Sequence, residues 1–140
     1  MIHFRLAANE PNELAEILEF WISNAENGSR PTDTAEAIQA LIEQDPEALI
    51  LAVDNDKIIG TIIAGWNGWR SGLYRLAVRE DMRSQGIGRL LVERALERLR
   101  DLGVGRVDAM VLDDNEQAHK AWEAFGFVRQ DNWSRWVKIL

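Results

Sequence analysis

Between Leu73 and Val92 the chain changes its hydrophobic period once, and that change restricts what it can fold into. Leu73, Tyr74, Leu76 and Val78 suit a strand buried over much of its surface. Glu80-Asp81-Met82-Arg83-Ser84-Gln85 then interrupts the apolar run. Ile87, Leu90, Leu91, Ala95, Leu99 and Leu102 recur at helical spacing and predict a helix from about Gly86 to Leu102, stopped by Gly103. The junction is chemically distinctive. A helix start leaves backbone N–H groups without intrahelical partners, in a region of partial positive charge. Gly86 and Gly88 withhold side chains there, and Arg83 and Arg89 flank them with guanidinium groups suited to phosphate. One reading is a cradle for phosphate or pyrophosphate; the other is a loop whose glycines only permit a tight turn.

Two common glycine loops are excluded. A Walker A loop needs Gly-Lys-Ser/Thr, and Gly88 is followed by Arg89-Leu90. A dinucleotide fingerprint needs glycine or alanine where Leu91 stands. The absence of cysteine rules out disulfides, a cysteine nucleophile and a thiolate zinc site. Two isolated histidines, His3 and His119, make no metal site. A net charge of -7 argues against non-specific nucleic-acid binding and mildly favours a cationic partner. No apolar run is long enough to span a bilayer and Met1-Ile2-His3-Phe4-Arg5 lacks the layout of a signal peptide, so a cytoplasmic location is expected.

In chain order, Ile2 to Ala7 alternates as an edge-type strand. Asn9-Glu10-Pro11 opens a first helix with Leu14, Ile17, Leu18, Trp21 and Ile22 as its stripe, and Asn27 to Pro31 ends it. Thr32 or Asp33 caps a second helix whose Ala37, Ile38, Leu41 and Ile42 face inward. Ala48–Val53 and Ile58–Ala64 read as strands around the turn Asp54–Lys57. Trp66-Asn67-Gly68-Trp69 reads as a two-residue hairpin with the tryptophans near each other across it. They are either a stabilising aromatic pair or a lid beside a pocket. Val104–Leu112 forms a parallel strand after the glycine-opened helix, Asp113-Asp114-Asn115 caps a short helix, and Gly126–Arg129 and Trp133–Leu140 read as two final strands. At 140 residues, without repeat or linker, the chain is expected to be one mixed α/β domain over 1–140.

Two spaced motifs carry a family resemblance. Arg83-x-x-Gly86-x-Gly88 resembles the acyl-CoA pyrophosphate loop of the GNAT superfamily of N-acetyltransferases. Downstream, Asn115, Ala118, Gly126 and Phe127 fall in register on the superfamily's Asn-x-x-Ala-x-x-x-Tyr-x-x-x-Gly-Phe pattern. The motifs cover roughly residues 73–128, and residues 1–72 match by element order. The resemblance implies a central mixed sheet of six to seven strands flanked by about four helices, in a small bacterial-type, single-domain member.

It also implies acetyl-CoA as cofactor and a small-molecule or peptide amine as acceptor. Main-chain groups of Leu76, Ala77 and Val78 would line the pantetheine arm, and Val78 would polarise the thioester carbonyl. Arg83 and Ser84 with the amides of Gln85, Gly86, Ile87, Gly88 and Arg89 would hold the pyrophosphate. Asn115, Ala118 and Trp122 would complete the cofactor contacts.

One position departs from the family pattern. Trp122 stands where the family has a tyrosine proposed to protonate the departing thiolate, and an indole N–H donates a hydrogen bond but is no general acid near neutral pH. The base is unassigned among Glu26, Glu80, Asp108 and Asp113. The expected activity is N-acetyl transfer from acetyl-CoA to a primary amine. The alternatives are a non-catalytic acyl-CoA-binding module and an enzyme preferring a longer acyl chain. No metal, nucleic-acid or membrane partner is expected. A homodimer through Trp133–Leu140 is compatible with the fold.

Overall fold

In a computed structural model, which describes residues 1–28 and 31–140, Met1–Met110 and Val111–Leu140 form two units. The first carries one sheet in the order β1 (Ile2–Leu6), β2 (Leu49–Asp54), β3 (Lys57–Trp66), β4 (Ser71–Val78), β5 (Asp108–Ala109). The first four strands run antiparallel to their neighbours, and β5 runs parallel to β4. The parallel pair is joined by α3 (Ile87–Asp101), as the change of period predicts.

Helices α1 (Pro11–Asn24) and α2 (Ala35–Gln44) cover one sheet face. Leu14, Ile17, Phe20, Trp21, Ile38 and Ile42 pack there against Leu49, Leu51, Val53 and Ala77. Each such fully buried large side chain contributes roughly 1.5–3 kcal/mol. Helix α3 covers the other face through Ile87, Leu91, Val92, Ala95 and Leu99. A β-carbon on Gly60 would lie 2.9 Å from Leu91 Cδ1, so α3 sits close on β3 because that strand position is bare.

Local signals fix the element ends, some on neighbours of the expected residues. Glu10, rather than Asn9, caps α1 ahead of Pro11, accepting from the amides of Asn12 and Glu13. Thr34 caps α2 through the Ala37 amide at 3.1 Å, and Asp33 is engaged elsewhere. Ile22, Ala37, Leu90 and Leu102 are exposed, while Phe20 and Val92 take inward positions. Of the expected loop Asn27–Pro31, Ser29 and Arg30 lie outside the described residues. Gly103, at φ 85°, stops α3 as expected.

The two-residue hairpin is Asn55-Asp56, both left-handed, between β2 and β3. Trp66 pairs with Ser71, so Asn67–Arg70 forms a longer loop closed by Asn67 N–H on the Arg70 carbonyl, and the two tryptophans are not cross-strand partners. Trp69 instead lies 3.7 Å beneath the Arg70 guanidinium carbon.

The sheet has five strands among the described residues, not six to seven. Only Asp108 and Ala109 of the expected strand Val104–Leu112 join the ladder, and Gly126–Arg129 and Trp133–Leu140 form no strand. Alternation specifies which face a segment would bury, whereas a strand exists only where a partner supplies the ladder.

The second unit is α4 (Glu116–Ala124) with the segments around it. Gly126, at φ 94°, takes its C-terminal turn out of the helix, with Phe127 N–H on the Trp122 carbonyl at 3.0 Å. Trp133, Trp136, Val137, Ile139 and Leu140 are exposed. Among the described residues no helix is long and apolar enough to cross a membrane.

Candidate active site

Strand β4 supplies an exposed backbone edge. Its ladder with β5 ends at Leu73, so from Tyr74 onward that edge has no strand partner among the described residues. Arg79 N–H donates to the Ile59 carbonyl of β3 at 2.8 Å. Because successive residues of a strand point their polar groups to opposite edges, Val78 and Leu76 turn theirs outward. The outward Val78 carbonyl accepts from Arg83 Nε at 3.0 Å.

A bulge interrupts β4 just before that edge. The step from Thr61 to Ile63 on β3 is matched by Ala77 to Tyr74 on β4, one residue longer. Arg75 takes up the excess at φ 51°, a conformation non-glycine residues seldom adopt. Its carbonyl accepts from Thr61 Oγ1 at 2.8 Å, and that hydroxyl accepts from Trp21 Nε1 at 2.9 Å. The guanidinium, on a residue only 9% exposed, donates through Nε to Asp33 Oδ2 at 2.8 Å and through Nη1 to the Glu26 carbonyl at 2.8 Å. Nη2 pairs with the same Asp33 oxygen. None of these ties was visible in the sequence, where Asp33 reads as a helix cap.

After β4 a turn of 3₁₀ helix, Glu80–Met82, leads into the glycine loop. Ser84 and Gly86 are both left-handed, at φ 64° and 85°. Gly86 is the N-cap of α3 and carries no side chain to bond the first turn, which also lacks acidic residues. Leu90 N–H, on the Gly86 carbonyl at 3.1 Å, is the first helical bond, so the amides of Ile87 and Gly88 precede it. A β-carbon on Gly86 would meet nothing within 4 Å beyond its chain neighbours. Arg83 does not project from this loop as a lone cation. Its Nη2 donates to the Asn24 carbonyl at 3.1 Å, tying the loop to the end of α1.

In the second unit, Asn115 caps α4 by accepting from the Ala118 amide at 3.1 Å, so two residues of the downstream motif hold one another. Trp122 packs edge-on to Phe125 and Phe127, with ring centroids 5.6 and 4.8 Å away. His119 Nε2 lies 2.9 Å from the Leu112 carbonyl. A perturbed carboxyl lies in another part of the fold, on α1. Glu13 accepts from Arg5 and from the Ala8 amide, and the Arg5 hydrogen bond holds its carboxyl below the usual range.

A helix start without a side-chain cap thus follows a strand edge that has no strand partner among the described residues. The sequence model of the acetyltransferase (GNAT) family matches residues 13–127. The chain belongs to that family. An acetyltransferase from Yersinia pestis (strain Pestoides F) is 30% identical over 94 residues, 67% of either chain. Two solved structures share the GNAT fold. The ribosomal-protein-S18-alanine N-acetyltransferase of Escherichia coli superposes with a TM-score of 0.73 at 20% identity, covering 94% of this chain and 80% of that one. A chain of the NatC complex bound to Gag peptide and CoA gives 0.75 at 24%, covering 93% and 86%. This GNAT member is an acyltransferase, and acetyl is the group its relatives are named for.

Proposed function

We propose that this protein is an acetyl-CoA-dependent N-acetyltransferase that acetylates a primary amine on a small molecule or peptide. The observation that carries the reading is the start of α3, where left-handed Gly86 has no side chain to cap the amides of Ile87 and Gly88. Gln85, Gly86, Ile87, Gly88 and Arg89 would present their amides to the pyrophosphate, with Ser84 beside them. Arg83 would brace this loop from behind, through Val78 and Asn24. The outward polar groups of Leu76, and the Val78 carbonyl through the lone pair that Arg83 leaves open, would bond the extended pantetheine amides as a neighbouring strand would, past Ala77.

The Val78 N–H would polarise the thioester carbonyl. The acceptor nitrogen forms a bond to the carbonyl carbon as the carbon–sulfur bond breaks. Coenzyme A leaves as thiolate and the amine proton passes to water. Asn115, Ala118 and Trp122 enter this reading through the family motif alone. The same motif, with a family match spanning 13–127, supports treating 1–140 as one domain. A peptide N-terminus is a reasonable first acceptor, since the Escherichia coli neighbour is an N-acetyltransferase of a ribosomal-protein alanine. We place the enzyme in the cytoplasm of a bacterium, as its Yersinia relative is bacterial.

The test is a panel of peptides, polyamines, aminoglycosides and amino acids incubated with acetyl-CoA, with free CoA read by a thiol reagent. The chain's lack of cysteine makes that reading clean. Release dependent on one acceptor class, with the acetylated product found by mass, bears the proposal out. No acceptor-dependent release across all classes contradicts it.

A further inference from the structure

We propose that Arg75 and Asp33 form a clasp through which the segment between α1 and α2 sets the conformation of the β4 edge, making Arg75 a positioning residue for acyl transfer. The inference deepens the acetyltransferase reading and rests on it for its kinetic part.

Three observations meet at Arg75. Its backbone sits in the left-handed region inside a strand, at the residue that absorbs the bulge. Such conformations cost of order 1–3 kcal/mol and persist only where the surroundings over-determine them. Its side chain is buried and charged, and its donors are met by the inter-helix segment: the Asp33 carboxylate and the Glu26 carbonyl. Its carbonyl is held by Thr61, itself oriented by Trp21 of α1, whose ring lies 5.3 Å from the guanidinium carbon. The strained backbone is therefore gripped from the carbonyl by the helix and from the side chain by the loop that follows it.

The consequence falls on the residues immediately downstream. One extra residue at Arg75 reverses which edge the following polar groups face. Leu76 and Val78 point outward only while the bulge stays at Arg75. Sliding it along the strand would turn their N–H and carbonyl groups into the sheet. The clasp thus makes the register of the edge depend on Asp33, forty-two positions away in sequence. A buried arginine that merely closed a loop would need neither a left-handed backbone nor a bulge.

The test compares Asp33→Asn, Asp33→Glu and wild type, with Glu13→Gln as a control. The control weakens α1 through a contact with β1 and leaves β4 alone. Hydrogen exchange of the full-length protein, read on a peptide spanning 72–79, should quicken about tenfold or more in Asp33→Asn, the size of effect expected from losing a charged hydrogen bond. Asp33→Glu should restore most of the protection, and Glu13→Gln should leave that peptide unchanged. With acetyl-CoA and the best acceptor, kcat of Asp33→Asn should fall about tenfold while its dissociation constant for acetyl-CoA stays within about twofold, because the glycine loop is intact. Unchanged exchange in 72–79, or equal losses in Glu13→Gln and Asp33→Asn, would overturn the clasp. Wild type failing to bind acetyl-CoA would defeat the acetyltransferase reading instead, and the exchange comparison would still decide the clasp.

Discussion

Arg83 donates its Nε to the carbonyl oxygen of Val78 at 3.0 Å, so two residues that the family resemblance places against the cofactor are also partners of each other. The bond closes the 3₁₀ turn at Glu80–Met82, and the second donation to Asn24 anchors the loop on α1. Arg83→Ala should weaken acetyl-CoA binding about tenfold, or about 1.4 kcal/mol, by loosening the loop rather than by removing a phosphate contact. Calorimetric titration at two salt concentrations checks this. The loss should be nearly independent of salt, since a direct phosphate contact would be screened.

Gly86 is the position where substitution should separate binding from folding. At φ 85° a side chain is strained by about 1 kcal/mol, yet its β-carbon would meet nothing within 4 Å beyond its chain neighbours. Gly86→Glu should therefore fold with a modest loss of stability and lose measurable affinity for acetyl-CoA, because its carboxylate would repel the pyrophosphate that the proposed function seats at this loop. Unchanged affinity would remove the glycine loop from the site.

The Glu13 carboxyl is held below its ordinary pKa, first by the Arg5 hydrogen bonds. The sign follows directly. A depressed folded-state pKa contributes stability that is present above the unfolded value of about 4.3 and is lost as pH falls through the folded value. Glu13→Gln should be less stable than wild type by about 2 kcal/mol at pH 7, since Arg5 stays half exposed and keeps water as a partner. The two urea midpoints should converge as the pH drops below about 4. A gap that does not narrow at all as the pH falls further would assign the loss to packing.

Trp122 packs between Phe125 and Phe127, a setting that Phe can occupy. If its indole supplies no proton, Trp122→Phe should turn over within about threefold of wild type, because a lost general acid costs about a hundredfold or more. Steady-state rates on the identified acceptor settle the point, and a fall of about a hundredfold in Trp122→Phe would give the indole N–H a catalytic part.

What was legible in the chain was local. The change of period around Gly86 marked a strand, a loop and a helix, because glycine spacing and a helical stripe are properties of neighbouring residues. The run Asp113-Asp114-Asn115 likewise marked the cap of α4, which falls on Asn115. Arg75 and Asp33 were not legible as a pair, since their contact depends on where a bulge falls in a sheet and on a loop forty-two residues distant. The turn at Asn67-Gly68 misled because a favourable dipeptide is only one way to close β3 on β4. The ladder stops at Trp66 and Ser71, and Asn67 Oδ1 accepts instead from the amides of Trp69 and Arg70. Trp133–Leu140 carries the aromatic and aliphatic residues that suit a strand, but composition names no partner.

The most direct test of acetyl-CoA binding at the start of α3 is a thermal-shift titration of the whole chain with acetyl-CoA, CoA and longer acyl-CoAs. Ligand at about a hundred times its dissociation constant should add roughly 2.7 kcal/mol of stability. A clear rise in Tm is expected with acetyl-CoA, a smaller one with the longer chains, and none in Gly86→Glu. No rise with any coenzyme A species would contradict the assignment, leaving the glycine loop a turn and nothing more.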